Sequence, residues 1–360
     1  MLILILIWLP TFAFSTVGAN WSSSVVELPR PLQVFILVGQ SNMQGHGYMN
    51  VTDEDGNYRN GTLEWMVQEY PQFFGKLKKR HGGAWRKRKD AWITYNRQLI
   101  GTLRPEVNQY GNLMPGYGGD PGQEGVQMGP ELSFGWTIGD AYNSRHHREQ
   151  QILLLKVAWG GRSLAVDFRP PSAGGTTGPY YLSMLAQVYA TLGRLDNLFS
   201  EYSQLPGYEI AGFVWHQGWN DGCDMNMTAE YETNLAHLIR DVRTDLGVPH
   251  LPVSIGVSGF HGFTPDVRRD AIVAAQFAVA AYPEFSTNVV AVETRSFARP
   301  PLPASPGHQV YHWNNNCETY WLVGKAMADG MLSLLEESSS STTSSRSTDS
   351  YSADAYWESQ

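Results

Sequence analysis

The sequence predicts an α/β chain in three layers, a central parallel sheet with helices on both faces. Short, continuous apolar runs recur along it, as at residues 33–38, Ile152–Ala158 and 209–215, and unbroken hydrophobicity marks strands buried on both faces. Stretches with helical spacing of apolar residues lie between later runs. Three of the runs end in glycine-containing polar turns: Gly39-Gln-Ser-Asn-Met-Gln-Gly45, Trp159-Gly-Gly-Arg-Ser-Leu164 and His216-Gln-Gly-Trp-Asn-Asp221. Alternating strands and helices of this kind build open sheets that bind ligands in the crevice at the strands' carboxyl ends.

In chain order, residues 33–38 form the first strand, and Gly39 and Gly45 bracket a turn that presents Ser41. From 50 to 129 the chain is polar, glycine-rich and irregular, with Trp65, Trp85, Trp92 and Tyr95 dispersed through it. Residues 48–125 are therefore expected to be an elaborated rim of long loops, because loops of such length are usually functional. Residues 131–143 have helical spacing, with Leu132, Phe134, Trp136 and Ile138, and precede the strand Ile152–Ala158. A long amphipathic helix follows at 180–198, then a strand at 209–215. The helix at 228–246 places Leu235, Leu238, Ile239 and Val242 on one face. A strand at 251–257, a helix at 267–281, a strand at Val289–Val292 and a closing helix at 318–335 complete the scaffold. The turns after Val38, Ala158 and Trp215 then fall together at one edge of the sheet.

With 360 residues and a net charge of -8, the chain can bury a large core and is a poor fit to nucleic acid or anionic membranes. The folded domain is placed at 31–335, and a monomer is expected. The basic run between Lys76 and Lys89 is broken by Gly82, Gly83 and Trp85, and reads as a solvated loop or, second, a docking patch for an acidic polymer. Residues 1–19 read as a signal peptide, with an uncleaved anchor as the alternative. Sequons at Asn20, Asn50, Asn60 and Asn226 fit the secretory route, so a secreted or lumenal product is expected. Residues 337–360 are rich in Ser and Thr and read as a disordered tail. The two cysteines, Cys223 and Cys317, lie a few residues after two proposed site turns, and either pair in an oxidising compartment or stay free as small apolar residues.

A serine hydroxyl is a poor nucleophile at neutral pH and needs a base. Among ten histidines, His312 is the best placed, in Tyr-His-Trp-Asn-Asn-Asn just before the closing helix. Acyl transfer also needs donors aimed at the developing oxyanion. The Ser41 N–H, an N–H of Gly160 or Gly161 and the Gln217 amide are the candidates. Asn42, His46, Trp159, Arg162, His216 and Trp219, in or beside the same turns, are candidate substrate contacts. A metal or cofactor is not expected, since His-Glu-x-x-His, clustered Cys/His ligands and a full P-loop are all missing from the sequence.

Gly39-Gln-Ser-Asn-Met-Gln-Gly45, Trp159-Gly-Gly-Arg-Ser163 and Trp215-His-Gln-Gly-Trp-Asn-Asp221, in this order and with a late His312, resemble the sialate O-acetylesterase-like branch of the SGNH hydrolase superfamily. The resemblance covers roughly residues 31–335 and implies a flavodoxin-like fold and deacetylation of a carbohydrate. It also implies Ser41 as nucleophile, His312 as base, and the serine N–H, a glycine N–H and the glutamine amide as oxyanion hole. Two positions depart from that pattern. Gln309 stands where the family usually has an aspartate, three residues before the histidine, and Gln217-Gly-Trp219 replaces Gln-Gly-Glu. The triad acid is therefore open: Asp221 is the nearest candidate by motif, a backbone carbonyl could hold His312 in a dyad, or activity is lost.

An α/β-hydrolase lipase is disfavoured, because its elbow is Gly-x-Ser-x-Gly and Gly39-Gln-Ser-Asn-Met lacks the second glycine. The competing reading is a non-catalytic carbohydrate-binding or cell-wall protein that stacks sugars on Trp159, Trp219 and Trp313.

Overall fold

The structure, a computed structural model, describes residues 29–79, 83–102, 104–146 and 150–340. The expected signal peptide, the Asn20 sequon and all of the expected tail beyond residue 340 lie outside the described residues. The elements are β1 (Leu32–Gly39), α1 (Ser41–Gln44), β2 (Gly47–Tyr48), α2 (Leu63–Glu69), α3 (Pro71–Phe74), β3 (Arg88–Arg97), β4 (Val107–Leu113), β5 (Gln127–Met128) and α4 (Glu131–His146). Then come β6 (Ile152–Ala158), α5 (Pro179–Leu192), α6 (Leu195–Leu198), β7 (Tyr208–His216), α7 (Met225–Asp245), β8 (Val253–Gly256), α8 (Val267–Ala280), β9 (Val289–Val292) and α9 (Cys317–Ser340).

Among the described residues, seven strands form one sheet in the order β4-β3-β6-β1-β7-β8-β9, parallel except for β4. β1 shows why the sheet is central. Its alternate residues Val34, Ile36 and Val38 enter a core shared with α5, α7 and α8, while Phe35 and Leu37 enter a second core under α4 and α9. Both faces of the strand are apolar because both are covered. Each large apolar side chain so buried contributes about 1.5–3 kcal/mol, which is why the three-layer arrangement follows from the pattern.

Four expectations are corrected. The 48–125 stretch is not only rim, since it supplies β3 and β4, the antiparallel edge of the main sheet, together with α2 and α3. The helix expected at 180–198 is two helices, ended at Leu192 by Gly193. The closing helix runs on to Ser340, into the stretch read as tail. The basic run is also not simply solvated: Lys78 pairs with Glu64 at 2.6 Å and lies 3.5 Å above the Trp85 ring, and Arg88 bonds Asp90 and Asp140.

Candidate active site

Gly39 is in register with both Ala158 and His216, so the turns after β1, β6 and β7 leave the sheet at one level. A Cβ at Gly39 would lie 2.1 Å from the His216 carbonyl oxygen, so only glycine fits where these strands close up. The chain turns at once into α1, where Met43 and Gln44 donate their N–H groups to the Gln40 carbonyl at 2.9 Å. Ser41 is the first residue of that helix, where an N–H has no intrahelical acceptor. Gly160 comes in against it: a Cβ there would sit 3.6 Å from Ser41 Cβ and 2.7 Å from Gln44 Oε1.

His312 arrives from the other end of the chain, on the turn Val310–Asn315. Trp313, Asn314 and Asn315 that follow it have φ of 53°, 52° and 61°, a left-handed run costing on the order of 1–3 kcal/mol per residue. The asparagine run explains how it is held. Asn tolerates this conformation better than most side chains, and each amide makes an anchor: Asn314 to Arg299 O at 2.9 Å, Asn315 to His46 O at 3.0 Å and Asn316 to Ser305 Oγ at 3.0 Å. Asn42 links this turn to α1, donating to Tyr311 O at 3.0 Å and accepting from Tyr320 Oη at 2.8 Å.

The result is one cleft of about 330 Å³ lined by Ser41, His312, His46, Gly160, Trp219 and Asp120, among others. His312 Nδ1 faces Gln309 Oε1 at 3.3 Å. That contact favours the tautomer protonated on Nδ1 and leaves Nε2 as an acceptor. The His46 ring lies parallel on the His312 ring, centroids 4.0 Å apart and planes 8° apart. Burial, then the neighbouring His46, hold His312 down at about 3 against the pull of Asp120. Burial likewise holds His46 at about 4. Both imidazoles are thus neutral at neutral pH. Asp120 Oδ1 accepts from Gln44 Nε2 at 3.2 Å and from Arg97 Nη1 at 2.9 Å. Among the described residues no group of three or more His, Cys, Asp or Glu side chains is placed to hold a metal ion.

Residues 31–300 match the family described as carbohydrate esterase, sialic acid-specific acetylesterase. The chain belongs to this family. It is a hydrolase acting on ester bonds, and its α/β fold is shared with a solved structure titled NanS, which is 13% identical over 87% of this chain and 100% of that one with a TM-score of 0.53. A structure from Arabidopsis thaliana is 20% identical over 84% of this chain and 98% of its own, with a TM-score of 0.48. A probable carbohydrate esterase of Arabidopsis thaliana is 33% identical over 71 residues, a match spanning 19% of this chain and 27% of that protein.

Several residues expected in this esterase's site stand elsewhere. Asp221 is not beside His312: its carboxylate is buried under the turn after β6, accepting from Leu164 N, Ala165 N and Gln217 Nε2 at 2.8, 2.9 and 2.6 Å. Burial raises it to about 6. Gln217 spends its amide hydrogens on Asp221 and on Arg162 O at 2.9 Å, so neither is free for an oxyanion. Trp159 is fully buried and donates to Gln98 O at 2.9 Å, and Trp313 is buried too. Arg162 pairs with Asp167 at 3.3 Å and covers the Tyr180 ring. His216 is buried with Nδ1 at 2.8 Å from Gly256 O, and burial holds it at about 4. Asn42 ties loops together, as above. Cys223 and Cys317 are both free, the first exposed, the second buried and donating to Tyr48 O at 3.0 Å.

The cleft holds residues that the sequence reading missed. Gln40 accepts from Gly218 N at 3.2 Å and Asn220 N at 3.4 Å through Oε1, which fixes its amide, and among the described residues Nε2 has no protein acceptor. Its place beside Ser41 was the available signal. Tyr311 meets Trp219 with centroids 5.3 Å apart, making an aromatic wall. Arg97 and Asp120 come from the stretch read as rim, and nothing local marked them.

Proposed function

We propose that this esterase removes O-acetyl groups from a carbohydrate through an acyl-enzyme on Ser41. The observation that carries the reading is that Ser41 and His312 line one cleft, with the imidazole Nε2 left as acceptor by the Gln309 contact. Nε2 takes the Ser41 proton as Oγ attacks the acetyl carbonyl, then gives it to the departing sugar hydroxyl. Water enters by the same route and releases acetate. The negative oxygen between these steps is met by the N–H of Ser41, the N–H of Gly160 and the Gln40 amide, which replaces Gln217 in that role. Gln309 supplies orientation without charge, in the place where a triad acid was sought.

The non-catalytic reading loses support, since two of the tryptophans proposed as sugar platforms, Trp159 and Trp313, are buried. Passage through a secretory route rests on the sequons, of which Asn50, Asn60 and Asn226 are exposed.

Release of 4-nitrophenol from its acetate ester tests the mechanism. Ser41→Ala and His312→Ala are each expected to abolish nearly all turnover, and the double variant to lose little more, because the two groups act as a unit. Additive losses would overturn the assignment.

A further inference from the structure

The cleft of Ser41 continues past His312, His46 and Asp120, which also line a second cavity of about 690 Å³. The far walls are uncharged, with Tyr48, Asn50, Gln123, Gln127, Gln309 and Asn315 as their polar residues and Val51, Pro121 and Val126 as their apolar ones. Among the described residues, the only Lys or Arg lining either cavity is Arg97. Its charge is offset by carboxylates on two sides: Nη1 donates to Asp120 Oδ1 at 2.9 Å, and Nε, buried without a hydrogen-bond partner, lies 3.6 Å from Glu106 Oε2. The Arg97 side chain is 13% exposed and that of Asp120 54%, so an entering ligand meets the carboxylate first. The histidines carry no charge near neutrality, as their burial dictates, and the chain's net charge of -8 adds the same sign at long range.

A sugar carboxylate is held most strongly by an accessible cation, above all an arginine fork. This site lacks one. It offers instead amide and hydroxyl hydrogen bonds and the Trp219–Tyr311 wall, suited to the hydroxyls and apolar face of an uncharged pyranose. We propose that the substrate is an uncharged O-acetylated glycan of more than one residue, with the acetylated unit at Ser41 and its neighbour in the second cavity, and that carboxylate-bearing sugars are selected against. The family's description names sialic acid, and this chain departs from it on that point. The proposal rests on the esterase reading above.

The test compares kcat/KM for acetate release within matched substrates: 3-O-acetyl glucose against 3-O-acetyl glucuronic acid, and acetylated xylose against acetylated xylotriose. 9-O-acetyl N-acetylneuraminic acid serves as a further acid. The neutral hexose is expected to exceed both acids by about tenfold or more, the cost of meeting a like charge at a recognition site, and xylotriose to exceed xylose. Asp120→Asn, which removes the cleft's exposed carboxylate and one of the two charges that offset Arg97, is expected to shift the neutral-to-acid ratio toward the acids. Equal or better turnover of the acids would overturn the charge selection, and equal values for xylose and xylotriose would overturn the second subsite. Cleavage of 4-nitrophenyl acetate by wild type but not by Ser41→Ala separates these failures from a failure of the esterase reading, which takes the proposal with it.

Discussion

Gln309 decides how the His312 imidazole behaves. An amide oxygen at Nδ1 favours one tautomer but would give an imidazolium formed in the proposed attack no counter-charge, and burial already depresses His312 to about 3. A base so weak is neutral at every working pH, yet takes a proton reluctantly. Gln309→Glu keeps the shape and places a carboxylate where the amide oxygen is, which favours the charged imidazole and raises its pKa. The acid limb of the kcat/KM profile should therefore move to higher pH, and turnover above that limb should rise by part of the roughly 10²–10⁴-fold that a tuned general base supplies. A profile with an unmoved midpoint would show that position 309 does not act on His312. The meeting of Ser41 and His312 in one cleft was legible because a turn after a buried strand and a turn before the closing helix both belong to the sheet's edge. Gln217 and Asp221 were not: an amide in a turn reads as a donor either way, and what occupies it, Arg162 O and the Asp221 carboxylate, is brought there only by folding.

At the scale of elements, the position of α1 depends on a buried ion pair. Lys156 projects from the centre of β6 and donates to Gln44 O at 2.5 Å, Tyr117 O at 2.7 Å and Glu131 Oε2 at 2.8 Å, so its three hydrogens are all placed. It pins the last residue of the helix that begins at Ser41. Lys156→Met leaves Glu131 buried without its partner and should cost about 3–5 kcal/mol, read as a lower urea midpoint at unchanged slope. Adding Glu131→Gln should recover part of the loss. A Lys156→Met protein as stable as wild type would remove the pair from this role. The strands of the middle of the sheet were legible from continuous hydrophobicity, whereas β3 and β4 were hidden for a physical reason. β4 (Val-Asn-Gln-Tyr-Gly-Asn-Leu) is an edge strand, and edges carry polar residues that discourage pairing with other chains. β3 begins in charges that bind Asp90 and Asp140 rather than in apolar residues.

For the whole molecule, folding holds histidines neutral. His46 and His216 are kept at about 4 and His312 at about 3, in each case chiefly by burial, against about 6.5 in an unfolded chain. Below 6.5 the unfolded chain binds more protons than the folded one, so the stability present above that pH is lost as pH falls. Asp221, raised to about 6 by burial, acts in the opposite sense, because there the folded chain is the better proton acceptor. Three groups against one leave a net loss, so the urea midpoint should fall between pH 7 and pH 5. A midpoint that holds or rises would contradict the neutral histidines. The meeting of the three turns at one sheet edge was legible from sequence, while their order along it and the burial that sets these protonation states emerge only when both cores close. Whether the assembled cleft works through Ser41 is tested most directly by mass spectrometry after treatment with a fluorophosphonate. One adduct on the peptide containing Ser41, absent in Ser41→Ala and formed in step with the loss of acetate release, is the predicted result; acetate release that persists with Ser41 fully modified would contradict it.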